Sequence, residues 1–219
     1  VPEKAAGGGG KPAMIKNILF DMGNVLIRFA PETYVRNAGL SEPDQKLLLR
    51  ELYGSVDWVR LDRGTITESE IIERCTQRVG ERLRGAVERL VMQWDRPELP
   101  VEGMRELAAE LAANGYELYL LTNAGPRHRE YFPRFSVGPL FPEERIFRSA
   151  DEKLLKPQHE FFERALERFG LNKSECVFID DSVANVEGAA NIGLDAIVFR
   201  GDVSQLRAEL RKRGVNVKE

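Results

Sequence analysis

The clearest pattern along the chain is a set of short apolar runs that each end in a polar group. Such runs are typical of strands buried on both faces of a parallel sheet. Parallel strands deliver their carboxyl ends to one edge of a sheet, where ligands bind in open α/β folds, so we expect these polar groups to meet. The runs are Ile18–Phe20 before Asp21, Leu118–Leu121 before Thr122 and Asn123, and Cys176–Ile179 before Asp180 and Asp181.

A different pattern, with apolar residues at helical spacing, occupies the chain from about residue 31 to residue 96. Thr67 and Glu70, three residues apart, form a capping box that predicts the start of one helix, and Ser41 precedes another. No convincing strand interrupts this stretch, which we interpret as an inserted helical cap. Strand and helix patterns then alternate, so the sequence predicts an α/β fold with a doubly wound parallel sheet.

These patterns divide the chain into three parts. Residues 14–30 and 97–219 are predicted to form the α/β core, and residues 31–96 the helical cap. Residues 1–13 include four consecutive glycines and are interpreted as a leader or linker. This segment is either an added or processed leader, with Met14 as the natural start, or a native disordered tail.

Composition and charge narrow the classes of function. The 32 basic and 35 acidic residues nearly cancel, so no electrostatic footprint for nucleic acid is present. No apolar run approaches the length that crosses a bilayer and no secretory signal is visible, so we expect a cytoplasmic protein without a membrane partner. Cys75 and Cys176 are expected to be reduced thiols, with a disulfide as the alternative. We expect a monomer or a weak homodimer.

The polar groups at the strand ends suit phosphate chemistry. The paired carboxylates Asp180 and Asp181 would repel Asp21 unless a cation lay between them, and oxygen ligands of this kind suit Mg²⁺. Lys156 supplies positive charge for phosphoryl oxygens, and Thr122 supplies a hydroxyl donor. With the phosphate held in this way, Asp21 can attack phosphorus and form an aspartyl-phosphate.

Four motifs in this order resemble the haloacid dehalogenase-like superfamily. They are FDMGNV, LLTNA, LKP with Lys156, and FIDDSVAN. The resemblance implies a Rossmann-like core with an inserted cap and Mg²⁺-dependent hydrolysis of a small phosphorylated substrate. It also implies four metal ligands, namely Asp21, the Gly23 carbonyl, Asp180 and Asp181. The FD-x-GNV form is similar to bacterial sugar-phosphate phosphatases, such as α-glucose-1-phosphate phosphatase, and to the phosphatase half of soluble epoxide hydrolases.

The chain departs from this resemblance at Gly23, where phosphatases of the superfamily typically carry a second aspartate that acts as general acid and base. Gly23 cannot carry a proton, and general acid–base help is worth about 10²–10⁴-fold in rate. His128, on the loop after the second strand, is a candidate substitute. We expect His128, Asn123 and Arg63 to contact the substrate. The alternatives are a surface or substrate-side position without a proton role for His128, and an ion pair of Arg63 with Asp62 or another acid.

Two other functions stay open at this point. A 2-haloacid dehalogenase uses the same aspartate to attack carbon without a metal, and the retained acid pair at positions 180 and 181 speaks against it. A catalytically silent sensor of phosphorylated ligands would bind Mg²⁺ and phosphate analogues without turnover. The glycine at position 23 would explain such a loss of turnover.

Overall fold

Five parallel strands form the sheet of this protein. They are β1 Asn17–Phe20, β2 Glu117–Thr122, β3 Ile146–Arg148, β4 Cys176–Asp180 and β5 Asp195–Val198. Their order in the sheet is β3-β2-β1-β4-β5, so the winding direction reverses at β1, as in doubly wound folds. The computed structural model describes residues 14–218, and the prediction for residues 1–13 lies outside the described residues. The predicted α/β fold with a doubly wound parallel sheet is confirmed.

Successive side chains of each strand point to opposite faces of the sheet, and both faces are covered. On β1, Ile18 and Phe20 lie in one hydrophobic core, whereas Leu19 lies in a second core on the other face. The same alternation puts Leu120 in the first core and Phe178 in the second. Burial on both faces explains why the strands are apolar along their length and carry polar groups at their ends.

Between β1 and β2 the chain forms a helical segment, residues 31–92, with a hydrophobic core of its own. Its elements are α1 Pro31–Asn37, α2 Glu42–Leu48 with a π-helical continuation Leu49–Tyr53, α3 Val56–Asp62, α4 Glu68–Val79, a 3₁₀ turn Glu81–Leu83 and α5 Arg84–Met92. Ser41 caps α2 by accepting a hydrogen bond from the Asp44 N–H. Thr67 and Glu70 form the predicted capping box of α4. Local signals therefore start these helices, and their shared core holds them together.

The remaining helices cover the two faces of the sheet. They are α6 Met104–Ala113, α7 His128–Tyr131, α8 Ser149–Glu152, α9 His159–Phe169, α10 Val183–Asn191 and α11 Val203–Lys212, with 3₁₀ turns at Phe132–Arg134, Gly138–Leu140, Glu143–Arg145 and Lys173–Glu175. Helices α6 and α11 pack into the first core, and α9 and α10 into the second. Gln158 is the N-cap of α9.

The state of the cysteines agrees with the sequence prediction. Cys75 and Cys176 are both buried free thiols, and they lie in different hydrophobic cores. The alternative of a disulfide between them is therefore not formed. Among the helices of residues 14–218, none combines the length and the apolar composition that crossing a membrane requires.

Candidate active site

The carboxyl ends of three strands meet at one edge of the sheet. Phe20, the last residue of β1, pairs with Leu120 of β2 and with Ile179 of β4. The N–H of Asp21 donates to the Ile179 carbonyl at 2.9 Å, and Asp180 is the last residue of β4. Residues from distant parts of the sequence therefore lie side by side at this edge.

Lys156 lies buried among these carboxylates. Its Nζ is 2.6 Å from Asp21 Oδ1 and 2.7 Å from Asp180 Oδ2, and its side chain is 1% exposed. The ammonium also lies over the ring of Phe178, 5.2 Å from the centroid. A buried cation is tolerated only when it is paired, and two carboxylates together with a ring face provide that pairing.

Asn123 fixes the loop that carries this lysine. Its Oδ1 accepts a hydrogen bond from the Lys156 N–H at 2.9 Å, and its Nδ2 donates to the Lys156 carbonyl at 3.0 Å. The side chain of Asn123 therefore satisfies both backbone groups of the residue whose ammonium reaches Asp21. It also lines the cavity at the sheet edge.

Asp21, Asp180 and Asp181 form a compact acidic group. One carboxylate oxygen from each lies within 4.8 Å of the others. Asp180 is held by Asn185, whose Nδ2 lies 3.0 and 3.1 Å from its two oxygens. Asp181 accepts a hydrogen bond at 3.1 Å from Nδ2 of Asn24. Three hard oxygen donors converging on one point fit a divalent cation such as Mg²⁺.

Burial and mutual repulsion shift the ionisation of this group. Burial raises the pKa of Asp21 to about 7, although Lys156 lowers it in part, and the charge of Asp180 raises it further. Burial likewise raises the pKa of Asp181, against the hydrogen bond from Asn24. Burial lowers the pKa of Lys156, but the two carboxylates outweigh this effect and raise the pKa above its ordinary value. A cation bound here would favour the ionised carboxylates and displace a proton.

The acidic group opens into a cavity with an empty volume of about 640 Å³, counting its open mouth. Its floor is polar and comes from the ends of the strands. Its walls are largely aromatic, and α3 of the helical segment contributes Trp58 and Asp62. The aromatic side chains in the walls are Phe29, Trp58, Trp94 and Tyr131. The cavity therefore lies between the sheet edge and the helical segment.

Gly23 and Thr122 occupy different surroundings at this edge. Gly23 lines the cavity, and a Cβ built there would meet Phe29 at 3.9 Å and Asp21 Oδ2 at 4.0 Å, which are ordinary contact distances. The space would therefore accept a Cβ at this position. Thr122 is the last residue of β2 and is 1% exposed.

The structure corrects the expectation for His128. Its side chain is fully buried, stacks on Phe132 at 4.8 Å, and accepts a hydrogen bond through Nδ1 from Arg148 Nε at 2.7 Å. Burial and the positive charges of Arg148 and Arg129 hold the pKa of His128 well below its usual range. His128 is thus a neutral core residue, and both the substrate contact and the surface alternative are wrong, because α7 turns it inwards.

Arg63 also differs from its expectation. Its Nε is buried without a hydrogen-bond partner among residues 14–218, and its side chain is not part of the cavity wall. The preceding residue, Asp62, occupies the wall instead. Sequence reasoning treated Asp62 only as a partner for Arg63. The sole local signal for its position was its place two residues before Gly64, where the chain has to turn.

Family and sequence comparisons agree with this geometry. A family model described as haloacid dehalogenase-like hydrolase matches residues 15–193. A sesquiterpene phosphatase of Aspergillus oryzae is 28% identical over 181 residues, which are 82% of this chain and 87% of that protein. A flavin mononucleotide hydrolase of Arabidopsis thaliana is 28% identical over 117 residues, which are 53% of this chain and 46% of that protein.

Solved structures give the same result. A HAD-family enzyme from Bacteroides thetaiotaomicron, solved with magnesium and inorganic phosphate, is 26% identical, with a TM-score of 0.66 over 88% of this chain and 98% of that one. An L-2-haloacid dehalogenase from Xanthobacter autotrophicus, at 17% identity and a TM-score of 0.63, covers 93% of this chain and 85% of its own, and it shares the fold. Both the family match and the arrangement at the sheet edge lead to one conclusion. The chain belongs to the haloacid dehalogenase-like hydrolase family.

Proposed function

We propose that this hydrolase is a Mg²⁺-dependent phosphatase that acts on a small phosphorylated metabolite through an aspartyl-phosphate on Asp21. The observation that carries the proposal is the buried ammonium of Lys156, 2.6 Å from Asp21 and 2.7 Å from Asp180. The acidic group beside it offers the oxygen donors that Mg²⁺ prefers. Relatives named as phosphatases, and a neighbour solved with magnesium and phosphate, support the same chemistry.

Each residue at the sheet edge has a place in this reaction. Mg²⁺ would be held by Asp21, Asp180, Asp181 and the Gly23 carbonyl, and the bound ion would offset the negative charge of the phosphate. Lys156 would bind a phosphoryl oxygen, and the Thr122 hydroxyl would donate to another. An oxygen of Asp21 attacks phosphorus as the bond to the leaving oxygen breaks. Water then attacks the phosphorus of the aspartyl-phosphate and regenerates the carboxylate.

We propose that the helical segment acts as a cap over this reaction. Trp58 and Asp62 reach the cavity from α3, while Asp21 reaches it from the end of β1 and Lys156 from the loop between α8 and α9. A segment in that position excludes water during the first step and selects substrates by shape.

The composition of the cavity walls favours certain leaving groups in the substrate. The walls present aromatic surface from Phe29, Trp58, Trp94 and Tyr131. Among the described residues that line the cavity, Lys156 is the one basic residue. We propose a phosphate monoester whose organic part has an apolar or planar face and no second phosphate. A sugar ring, as the sequence motif suggests, meets this description through its apolar face. Terpenoid and aromatic esters, which resemble the named substrates of the two curated relatives, also meet it.

A screen of phosphate esters with and without Mg²⁺ tests the proposal. Sugar, terpenoid, aryl and nucleotide monophosphates are expected to divide into substrates and non-substrates, with phosphate released only when Mg²⁺ is present. Chelation with EDTA should lower the rate by about 10²–10³-fold or more, because charge stabilisation by a metal is worth several kcal/mol. Added Mg²⁺ should restore the rate. An equal rate of phosphate release with and without EDTA would contradict the proposed metal dependence.

Trp58→Ala tests the aromatic wall. Trp58 packs 5.7 Å from Phe29 and 4.7 Å from Tyr53, so its removal opens one side of the cavity. We expect KM for esters with an apolar leaving group to rise about 2- to 12-fold, since an aromatic contact is worth about 0.5–1.5 kcal/mol. Inhibition by inorganic phosphate, which would bind at the floor, should not change. Val59→Ala, on the exposed face of the same helix, is the matched control.

The two alternative functions predict different results in the same screen. A 2-haloacid dehalogenase would release chloride from 2-chloropropionate without Mg²⁺, and the solved dehalogenase shares only the fold at 17% identity. A silent sensor would bind Mg²⁺ and phosphate analogues while releasing no phosphate from any ester. The acidic group favours the phosphatase over the dehalogenase, because attack on carbon has no need of three carboxylates around one point.

The proposal extends to the cellular compartment and the oligomeric state of the enzyme. The two buried free thiols suit a reducing, cytoplasmic compartment. We also propose that the chain acts on its small substrate as a monomer or a weak homodimer.

A further inference from the structure

One carboxyl group of the cavity lies outside the acidic group of Asp21, Asp180 and Asp181. Asp62, the last residue of α3, enters the cavity from the helical segment. Part of its surface opens to the cavity although the carboxyl group lies deep within the protein. The charged and titratable groups around it are Asp21, Asp181, Lys156 and Tyr131 in the same cavity, and Glu68 and Arg127 in a smaller cavity that Asp62 and Tyr131 also line.

Contacts from the α/β core hold Asp62 in place. The Ser149 hydroxyl donates to its carbonyl, and Lys153 Nζ donates to the carbonyl of Gly64, two residues on. The Gly125 N–H, just beyond β2, lies near the carboxylate and lowers its pKa in part. A residue of the helical segment is thus fastened to the part of the chain that carries the nucleophile, which is what a catalytic group requires.

The other ionisable groups of the cavity are already engaged. Asp21 is the proposed nucleophile, Lys156 is paired with two carboxylates, and Asp181 belongs to the metal-binding group. Burial, followed by nearby negative charge, raises the pKa of Tyr131 well above its usual range, so it is a poor acid. Gly23 has no side chain to carry a proton. One carboxyl group of the cavity is left for proton transfer.

The surroundings of Asp62 favour its protonated form. Burial raises the pKa of its carboxyl well above the ordinary value, the Gly125 N–H lowers it in part, and the charge of Asp21 raises it again. A carboxyl group in such surroundings keeps a proton near neutral pH and can give it to a leaving group, as catalytic acids do.

We propose that Asp62 is the general acid and base of this active site, in place of the carboxylate that Gly23 lacks; the role rests on the proposed phosphatase function. First, an Asp21 oxygen bonds to phosphorus, the bond to the leaving oxygen breaks with its electron pair on that oxygen, and Asp62 gives that oxygen its proton. Next, a water oxygen bonds to phosphorus, Asp62 takes the proton of the water, and the bond from phosphorus to Asp21 breaks. Phosphate leaves, and both carboxyl groups return to their starting states.

Asp62→Asn distinguishes a role in proton transfer from a structural role, because only the former predicts a loss that depends on the leaving group. With an alkyl phosphate, whose leaving oxygen needs a proton, turnover is expected to fall by about 10²–10⁴-fold. With p-nitrophenyl phosphate the first step is spared and only the second slows, so a stoichiometric burst of nitrophenolate precedes slow turnover. The alkaline limb of kcat/KM for the alkyl ester, which reports loss of the proton from the acid, should disappear. Stopped-flow absorbance and phosphate release from about pH 5 to about pH 9 measure both effects.

Glu68→Gln is the matched control. Glu68 lines the neighbouring cavity rather than the one that contains Asp21, and the substitution makes the same change from a carboxyl group to an amide nearby. This variant should keep the rates and the alkaline limb of the wild type. A first step that slows equally for both esters in Asp62→Asn, with no burst of nitrophenolate, or no loss of turnover for the alkyl ester, would overturn the role of Asp62. A wild-type protein that releases phosphate from no ester would overturn the phosphatase function, and the role of Asp62 with it.

Thermal unfolding of Asp62→Asn without metal gives a second test. The folded pKa of this carboxyl lies above the unfolded value of about 3.9, so above that pH the folded state binds the extra proton and stability falls as pH rises. Asparagine carries no charge and can still accept the Gly125 N–H. The variant should therefore unfold at a higher temperature than the wild type at neutral pH, with a gap that widens as pH rises. A lower unfolding temperature at every pH would overturn the protonated state of Asp62.

Discussion

Asp21→Asn is expected to end phosphate release. Asp21 follows β1, its Oδ1 contacts Lys156 Nζ at 2.6 Å, and its side chain belongs to the acidic group. An amide of the same shape keeps these surroundings but cannot attack phosphorus as a carboxylate does. Loss of a nucleophile from an enzyme lowers kcat on the order of 10⁶-fold. Phosphate release from the best ester of the screen, with Mg²⁺ present, measures the effect.

Two further measurements make this prediction specific. A wild-type enzyme stopped during turnover should carry one labelled phosphate that acid preserves and hydroxylamine removes, whereas Asp21→Asn should carry none. The control is Asp195→Asn. Asp195 lies on β5 and forms an exposed ion pair with Arg213, so this variant removes a carboxylate far from the cavity and should leave the rate unchanged. If Asp21→Asn kept more than a small fraction of the wild-type rate, the nucleophile would be another group and the proposed reaction would be wrong.

The strand ends could be predicted from the sequence because they depend on local patterns and one rule of topology. An apolar run followed by a carboxylate marks a buried strand that ends near Asp21 or Asp180, and parallel winding brings the two ends together. Lys156 could be predicted only through the motif around it, since a lone lysine before a proline carries no structural signal. Its distance of 2.6 Å to Asp21 depends on a loop that Asn123 holds by two hydrogen bonds.

The position of a side chain on the helical segment could not be predicted, because it depends on how that segment packs on the core. Gly64, in the left-handed region with φ of 69°, lets the end of α3 approach α8, where a Cβ would lie 2.5 Å from the Ala150 carbonyl. This close approach brings Asp62 into the cavity. The expectation for His128 was wrong for a related reason. This residue begins a helix of four residues, and packing on Phe132 sets which face of that helix turns inwards. Neither position is visible in hydrophobic periodicity.

The proposed role of Asp62 gives a physical reason for the glycine at position 23. A catalytic acid next to the nucleophile would be a further carboxylate beside Asp21, whose pKa burial and Asp180 already raise to about 7. An acid on the helical segment lies outside the metal-binding group and can keep its proton while the others ionise. With the roles proposed for Asp62 and for the helical segment, the complete set of reacting groups is assembled only when that segment and the core are packed together.

Lys156→Met is expected to remove both activity and a large part of the stability. Methionine keeps the apolar stem of the side chain but leaves Asp21 and Asp180 buried without their shared cation. Breaking a buried ion pair by removing one partner costs about 3–5 kcal/mol of unfolding free energy. Denaturant unfolding without metal measures the cost. Lys212→Met, which breaks an exposed pair with Glu209, should cost less than about 1 kcal/mol.

The pH dependence of this loss distinguishes missing charge from missing packing. Lys156 lowers the pKa of Asp21, so in Lys156→Met that pKa should rise above about 7. A carboxyl with a raised folded pKa costs stability as pH rises, because the folded state holds a proton that the unfolded chain has lost. Above about pH 7 the Asp21 carboxyl of the wild type has ionised, while that of the variant still holds its proton. The deficit of the variant should therefore grow between about pH 7 and about pH 9, and Asp21→Asn in the same chain should recover part of it. A deficit that stays constant across this range would mean that Lys156 stabilises the fold by packing, and the electrostatic account of the site would be wrong.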